Sequence, residues 1–224
     1  MTMDLEFIYV GDPMCSWCWG FAPVIEQLDR RFAIPVRVVA GGLRPGDAAE
    51  PMSDRMREVL LHHWDQVADR TGQPFDRSGL DREDWTYDTM KADTALVTMR
   101  TLEPDHVLPF LTRLQRAFYA EATDLTDSAV YSDLAAEFGI DGDSFVDVLE
   151  SEEMFRTTWH DFAEARSLGA TGFPSLYLRD DSVPYTVTRG YYPYEPLEEA
   201  ILGFLEERHP VEAAGLVCEI GEIC

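Results

Sequence analysis

The order of apolar and polar positions predicts a strand, a helix and a second strand at the start of the chain. Residues 5–10 (Leu-Glu-Phe-Ile-Tyr-Val) are a short apolar run typical of a buried strand, and a Gly-Asp-Pro turn ends it. Between residues 17 and 31 apolar side chains recur at helical spacing, and residues 35–40 form another apolar run. We therefore expect a βαβ unit over the first 42 residues, with parallel strands and a right-handed crossover.

From residue 43 to about residue 150 the spacing is helical almost throughout. Five amphipathic segments are predicted there. Their apolar positions are Met52, Met56, Val59, Leu60 and Val67; Met90, Ala95, Leu96 and Met99; Val107, Phe110, Leu111, Leu114 and Phe118; Val130, Leu134 and Phe138; and Phe145, Val148 and Leu149. We interpret these Met and aromatic stripes as the core of a helical bundle.

Strand signals return after one more helix. That helix is predicted to begin near Ser151, a good N-cap residue that is followed by two acidic residues. Residues 175–178 and 185–188 are short strands separated by a polar turn, as in a hairpin, and a closing helix is predicted over residues 196–208.

This order of elements predicts an α/β protein, a thioredoxin-like fold with an inserted all-helical subdomain. The predicted divisions are a thioredoxin-like core of residues 1–42 and 151–208, an insert of residues 43–150 and a C-terminal tail of residues 209–224.

Composition and charge narrow the range of partners. The chain is 46% hydrophobic and 27% charged, as in a globular protein, and 42 acidic residues outnumber 18 basic ones to give a net charge of −24. So acidic a chain repels nucleic acid and anionic membranes, and we expect neither as a partner. The acidic residues are scattered, which suggests either adaptation to a salty cytoplasm or ordinary acidic drift.

The N-terminal segment also bears on location. Residues 1–6 contain no basic region of the kind that opens a secretory signal, and no apolar run approaches the ~20 residues that span a bilayer. We therefore expect a cytoplasmic protein. Structural disulfides are uncommon in the cytoplasm, so we interpret the four cysteines of the chain as candidate catalytic or metal-binding groups.

The clearest chemical signal is Cys15-Ser16-Trp17-Cys18, which follows the first strand and opens the first helix. Cysteines three positions apart lie on one helix face, within reach of a disulfide. Cys15 is at the helix N-terminus, where unpaired N–H groups and the helix dipole favour a thiolate, so we expect it to be the nucleophile. Cys18, one turn further, is the expected resolving thiol. The alternatives are half of a zinc site, which would need two more ligands, or an inert pair.

A second signal is Gly172-Phe173-Pro174, immediately before a predicted strand. A thioredoxin-type core carries a cis proline packed against the dithiol in this place, so we predict a cis Phe173–Pro174 bond that faces Cys15 and helps bind substrate. The alternative is a trans proline that opens the strand.

Other residues carry weaker signals. Trp17, between the cysteines, is a candidate substrate contact, and Asp12 could move protons near Cys15. His62 and His63 are adjacent and cannot share one helix face, so one could point toward the dithiol, or both could have packing and surface roles.

Several motifs together resemble the DsbA superfamily of thiol–disulfide oxidoreductases, in particular its cytoplasmic FrnE-like branch. The resemblance covers about residues 4–208. Its motifs are Asp12-Pro13-Met14-Cys15-Ser16-Trp17-Cys18-Trp19-Gly20-Phe21, Gly41-Gly42-Leu43-Arg44, His62-His63-Trp64, Gly72-Gln73-Pro74-Phe75, Phe118-Tyr119 and Gly172-Phe173-Pro174. The exported oxidases have Pro-His between the cysteines, so strong oxidising power is not expected for this chain.

The resemblance implies dithiol–disulfide exchange through Cys15 and Cys18, with no tightly bound cofactor and no metal. Protein or small-molecule disulfides would be the substrates, and a cellular thiol would be the reductant. A glutathione-dependent isomerase or transferase of the same superfamily, and a non-catalytic chaperone-like module, are the alternatives. The tail pair Cys218 and Cys224 lies outside the matched region and is either a secondary redox pair or an untethered tail.

Overall fold

The computed structural model describes residues 5–210 and 215–217, which form two sheets and eight α-helices. The strands are β1 (Leu5–Gly11), β2 (Val36–Ala40), β3 (Glu50–Pro51), β4 (Thr86–Tyr87), β5 (Ser175–Asp180) and β6 (Val183–Arg189). The helices are α1 (Ser16–Arg31), α2 (Asp54–Thr71), α3 (Met90–Leu102), α4 (Val107–Ala120), α5 (Val130–Ala136), α6 (Gly142–Leu149), α7 (Glu152–Ser167) and α8 (Tyr194–Arg208).

The main sheet has the strand order β2-β1-β5-β6 and joins the two ends of the chain. β1 pairs in parallel with β2 and antiparallel with β5, and β5 and β6 form the predicted hairpin. All of β1 except Glu6 is buried, as expected of a central strand that is covered on both faces. The predicted thioredoxin-like α/β fold is confirmed. The division into core and insert stays a prediction, because α3 and α7 both pack on β2.

The outer edge of β2 is covered by an ion pair rather than by a further strand. Arg100 on α3 donates to the carbonyl of Val38 at 2.9 Å and forms a two-pronged contact with Asp161 on α7, at 2.7 and 2.8 Å. Asp161 also accepts the backbone N–H of Ala40 at 2.9 Å. The two side chains thus satisfy edge groups that would otherwise be open to pairing.

The middle of the chain is not purely helical, since β3 and β4 form a small antiparallel sheet there. Strands of two residues leave no periodicity for a sequence pattern to detect. Beneath this sheet lies an aromatic cluster, in which Tyr119 meets Trp64 at 5.2 Å and Phe118 at 4.9 Å between ring centroids. Its edge-to-face packing and full burial make this region a second part of the hydrophobic core.

One predicted core position is exposed. Val59 on α2 is 46% exposed, because the apolar stripe of that helix is wider than the surface that neighbouring elements cover. Its assignment to the core is therefore wrong. Phe155 and Trp159 on α7 are also exposed, at 47% and 39%.

Residues 215–217 pack beside the C-terminal end of α1. The amide of Ala33 donates to the carbonyl of Leu216 at 2.9 Å, and Phe32 pairs with Val217 across an isolated β-bridge. At 1.5 Å per residue, this contact is about 25 Å along the helix from Cys15. Cys218 and Cys224, the predicted possible redox pair, lie outside the described residues. None of the helices in the described ranges is long and apolar enough to cross a bilayer.

Candidate active site

The two cysteines of the motif lie at the start of α1. Cys15 is its N-cap residue, with extended backbone angles and no side-chain cap, so the first-turn N–H groups stay available to a negatively charged sulfur. Its own amide donates to the carbonyl of Asp12 at 3.1 Å, which turns the chain out of β1 and into the helix. Cys18 follows one turn later. Both cysteines are free thiols, and Cys15 is 6% exposed while Cys18 is 0% exposed.

The predicted proline segment lies directly beside Cys15. The Phe173–Pro174 peptide bond is cis, as expected from the sequence, and the Cys15 Sγ–H donates to the carbonyl of Phe173 at 3.6 Å. The carbonyl of Pro174 accepts the N–H of Gly190 at 2.7 Å. The segment is thus fixed to the end of β6 on one side and contacts the thiol on the other.

Phe173 also explains the Gly41-Gly42 pair that ends β2. A Cβ atom built on Gly41 would lie 2.6 Å from the Phe173 ring, which is closer than any normal contact. The glycine therefore lets the Phe173 ring pack against the end of β2. This contact positions the carbonyl that Cys15 meets.

An open groove of about 480 Å³ lies in front of the dithiol. We call it the front groove, and its lining residues are Trp17, Gln66, Arg70, Phe173, Gly190 and Tyr191. The rings of Trp17 and Tyr191 are 5.7 Å apart and form its aromatic side. Two of the three predicted substrate contacts, Trp17 and Phe173, thus lie on the same groove, and Phe173 joins that groove to Cys15. The third, Pro174, is not one of its lining residues.

The environment behind the dithiol is closed and polar. Burial raises the pKa of Cys18 well above its usual value, and its contact with the Cys15 sulfur raises it further. Tyr9 on β1 is also fully buried and lies close to Cys18. Burial, together with the neighbouring Cys18, raises the pKa of this tyrosine well above its usual value, so its hydroxyl remains neutral. Cys18 therefore keeps its proton until its surroundings change.

Asp12 fixes the loop before the motif. One carboxylate oxygen accepts the N–H of Met14 and the other accepts the N–H of Leu43, each at 2.7 Å. The side chain is fully buried, and burial raises its pKa. Asp12 also adjoins Cys18, where its backbone lowers the pKa of the thiol and its negative charge raises it. The structure thus brings Asp12 to Cys18 as well as to the loop of Cys15.

Asp93 on α3 is a site residue that sequence reasoning missed. It is fully buried, accepts from the Thr89 hydroxyl at 3.2 Å and lies next to Asp12. Burial and the negative charge of Asp12 raise the pKa of Asp93 well above its usual value. Asp93 is therefore the protonated carboxyl of the pair. The sequence signal that could have identified Asp93 is its place as a lone acidic residue among small and apolar ones, Ala92 and Thr94-Ala95-Leu96.

We call Tyr9, Asp12 and Asp93 the rear cluster. The two histidines take no part in it, since His62 and His63 are both exposed on α2. His62 Nε2 is 3.0 Å from the amide nitrogen of Gln66, so it lies one turn from the front groove. Within residues 5–210 and 215–217, no group of three or more His, Cys, Asp or Glu side chains could hold a metal ion.

Comparisons with solved structures agree with this fold. A proposed protein disulfide isomerase from Nitrosomonas europaea is 35% identical with a TM-score of 0.84, over 92% of this chain and 99% of that chain. Cytosolic disulfide reductase DsbM from Pseudomonas aeruginosa is 27% identical with a TM-score of 0.76, over 90% of this chain and 98% of that chain. DsbM has also been solved with GSH, glutathione.

Sequence comparisons give the family. A curated relative, the ClpXP adapter protein SpxH of Halalkalibacterium halodurans, is 24% identical over 216 residues, which are 92% of this chain and 70% of that protein. The sequence model of the DSBA-like thioredoxin domain matches residues 8–201, most of the chain. With its dithiol at the start of α1 beside a cis proline, the chain belongs to this DSBA-like thioredoxin family, within the DsbA superfamily of thiol–disulfide oxidoreductases.

Proposed function

We propose that the chain reduces or isomerises disulfides through Cys15 and Cys18, with a cellular thiol such as glutathione as the reductant. The observation that carries this proposal is the contrast between the two sulfurs. Cys15 lies at the helix N-terminus against the Phe173 carbonyl, and Cys18 is fully buried one turn behind it. The similarity to a cytosolic disulfide reductase supports reduction as the direction and the cytoplasm as the compartment.

The reaction has two exchange steps. The Cys15 thiolate attacks one sulfur of the substrate disulfide, forms a mixed disulfide and releases the other sulfur as a thiolate, which takes up a proton. Cys18 then loses its proton and attacks the Cys15 sulfur, which releases the second substrate thiol and leaves a Cys15–Cys18 disulfide. Two glutathione thiols restore the dithiol and become glutathione disulfide. The substrate disulfide gains two electrons, and the two glutathione molecules supply them.

The groups around the sulfurs have distinct roles in these steps. The cis Phe173–Pro174 segment presents backbone beside Cys15, where an extended substrate can pair with it. Burial keeps Cys18 protonated in the resting dithiol, so the nucleophile that faces substrate is Cys15. The neutral Tyr9 hydroxyl can donate to the Cys18 sulfur when its thiolate forms.

The experiment is turnover of bis(2-hydroxyethyl) disulfide and of insulin, with glutathione as the reductant, for the wild type and for Cys15→Ser. The wild type is expected to turn over at least the small disulfide, and Cys15→Ser is expected to fall to the uncatalysed rate. Thermal melting of both proteins checks that the variant is folded. Wild-type turnover in Cys15→Ser would overturn the proposal.

A binding module is the second candidate, and two observations favour it. The relative SpxH is named as an adapter protein, and the aromatic pair Phe155 and Trp159 on α7 is exposed, with ring centroids 6.3 Å apart. A binding module would retain its function in Cys15→Ser, whereas an oxidoreductase would not. A glutathione-dependent isomerase that needs no resolving thiol is less favoured, because this chain has Cys18 at the resolving position.

A further inference from the structure

The front groove contains one charged side chain, Arg70, in the last turn of α2. It shares this lining with Gln66, which lies one turn earlier on the same helix. The remaining lining residues are aromatic side chains and a glycine. A ligand whose sulfur reaches Cys15 past Phe173 therefore meets one positive group in the groove.

Arg70 differs from most other arginines of the chain, because no carboxylate pairs with it among the described residues. Acidic residues outnumber basic ones 42 to 18. Accordingly, Arg57 on the same helix pairs with Asp54 at 3.1 Å, and Arg77 pairs with Asp65. An arginine that lines a groove and lacks such a partner is free to bind an external anion.

The surrounding charge gives Arg70 a selective role. At a net charge of −24 the protein repels anions at long range, so an anionic ligand needs a local cation in order to bind. A guanidinium group suits a carboxylate, because its planar fork can donate two parallel hydrogen bonds. The groove volume of about 480 Å³ falls within the range of small-molecule sites.

We infer that the front groove selects small thiols and disulfides that carry a carboxylate, and that Arg70 is the residue that recognises this group. The inference rests on the proposed function and names its substrate class. The ligand's sulfur meets Cys15 beside the Phe173 carbonyl, its body lies along Trp17 and Tyr191, and its carboxylate pairs with Arg70. Glutathione disulfide has this chemistry, whereas bis(2-hydroxyethyl) disulfide has the same reactive bond and no charge.

The test measures how fast each of these two disulfides oxidises the reduced protein, with unreacted thiols alkylated and counted by mass spectrometry. Arg70→Gln is expected to lower the second-order rate constant for glutathione disulfide about tenfold. A change of this size corresponds to the loss of one charged hydrogen-bonded contact at an exposed site. The rate constant for the neutral disulfide is expected to stay within about twofold of the wild type.

Arg55→Gln is the matched control. Arg55 is an exposed arginine near the other end of α2, and its replacement changes the net charge by the same amount. It is expected to leave both rate constants unchanged. An equal loss for both disulfides in Arg70→Gln, or the same loss for glutathione disulfide in Arg55→Gln, would overturn the inference. If neither disulfide oxidised the wild-type dithiol, the proposed function itself would be wrong.

Discussion

The two sides of the dithiol differ in almost every physical property. The front groove is open, largely aromatic and carries one cation, whereas the rear cluster is buried, hydroxyl- and carboxyl-bearing and anionic. Cys15 and Cys18 are the same residue type three positions apart, yet one adjoins the groove through Phe173 and the other adjoins the cluster. Environment rather than residue type therefore distinguishes Cys15, the proposed attacking thiol, from Cys18, the proposed resolving thiol.

The environment of Cys18 also bears on the order of the two proposed steps. Burial and the neighbouring Cys15 sulfur oppose a thiolate at Cys18. Once the Cys15 sulfur is in a mixed disulfide, it no longer carries a negative charge that would oppose one at Cys18. We therefore expect Cys18 to keep its proton until a substrate is attached to Cys15.

The largest expected effect comes from removing each sulfur in turn. Cys18→Ser should accumulate a mixed disulfide between Cys15 and glutathione, because nothing remains to resolve it, while Cys15→Ser should form almost none. We expect a difference on the order of 100-fold in adduct yield at early times, since a nucleophile that is removed cannot be replaced. Mass spectrometry of protein treated briefly with glutathione disulfide measures it. Equal adduct yields in the two variants would mean that Cys15 and Cys18 do not differ in their reactivity toward a disulfide.

A large loss of stability is expected where α7 supports the end of β2. Asp161→Ala should lower the free energy of unfolding by about 3 kcal/mol, because it leaves Arg100 and the N–H of Ala40 without their buried partner. Glu164→Ala, on the same helix, removes a half-exposed partner of Arg37 and should cost no more than about 1 kcal/mol. Urea unfolding measures both. Equal losses would mean that the Asp161 contact contributes no more than a surface pair.

A smaller effect, of opposite sign, is expected in the rear cluster. Folded Asp93 keeps a proton that the unfolded chain releases above about pH 4, so the wild type loses stability as the pH rises from there toward neutral. Asp93→Asn can still donate to Asp12 but needs no proton to do so. We therefore expect it to be more stable than the wild type at pH 7, by on the order of 1 kcal/mol, with no gain at pH 3.

Urea unfolding of the wild type and of Asp93→Asn at a series of pH values measures this effect. Asp88→Asn is the control, since Asp88 accepts backbone N–H groups from Gly46 and Met90 outside the rear cluster. The difference in stability between Asp93→Asn and the wild type should favour the variant more at pH 7 than at pH 3. The reverse result would mean that Asp93 is not the protonated partner of the pair.

The smallest effect is expected from the tail. A chain that ends at residue 210 should keep most of its disulfide-reductase rate, because the contact of residues 216 and 217 lies about 25 Å along α1 from Cys15. Some stability should be lost with the bridge to Phe32. Turnover of full-length and truncated protein with the same reductant measures the effect. A large loss that Cys218→Ser reproduces would instead make the tail a second redox pair.

Local signals explain what the sequence could predict. The dithiol and the start of α1 each depend on a few adjacent residues with strong conformational or chemical preferences. The cis Phe173–Pro174 bond was expected because a thioredoxin-type core carries a cis proline in this place. The parallel pairing of β1 with β2 and the hairpin of β5 and β6 followed from periodicity and the crossover rule.

Long-range packing explains what the sequence could not predict. The contact of Asp93 with Asp12 joins residues 81 positions apart, and Arg100 meets Asp161 across 61 positions. The residues that flank each of these side chains in the sequence give no indication of its distant partner. Exposed Val59 was missed for a related reason, since helical spacing identifies an apolar stripe but not how much of it a neighbouring element covers.

The central claim is that Cys15 is the thiol that meets substrate and Cys18 is the thiol held back. The most direct test treats the reduced protein with a limiting amount of iodoacetamide at mildly acidic pH and locates the label by peptide fragmentation. Cys15 is expected to be labelled first, and Cys18 only after the protein is unfolded. Label on Cys18 before Cys15 in the folded protein would contradict it.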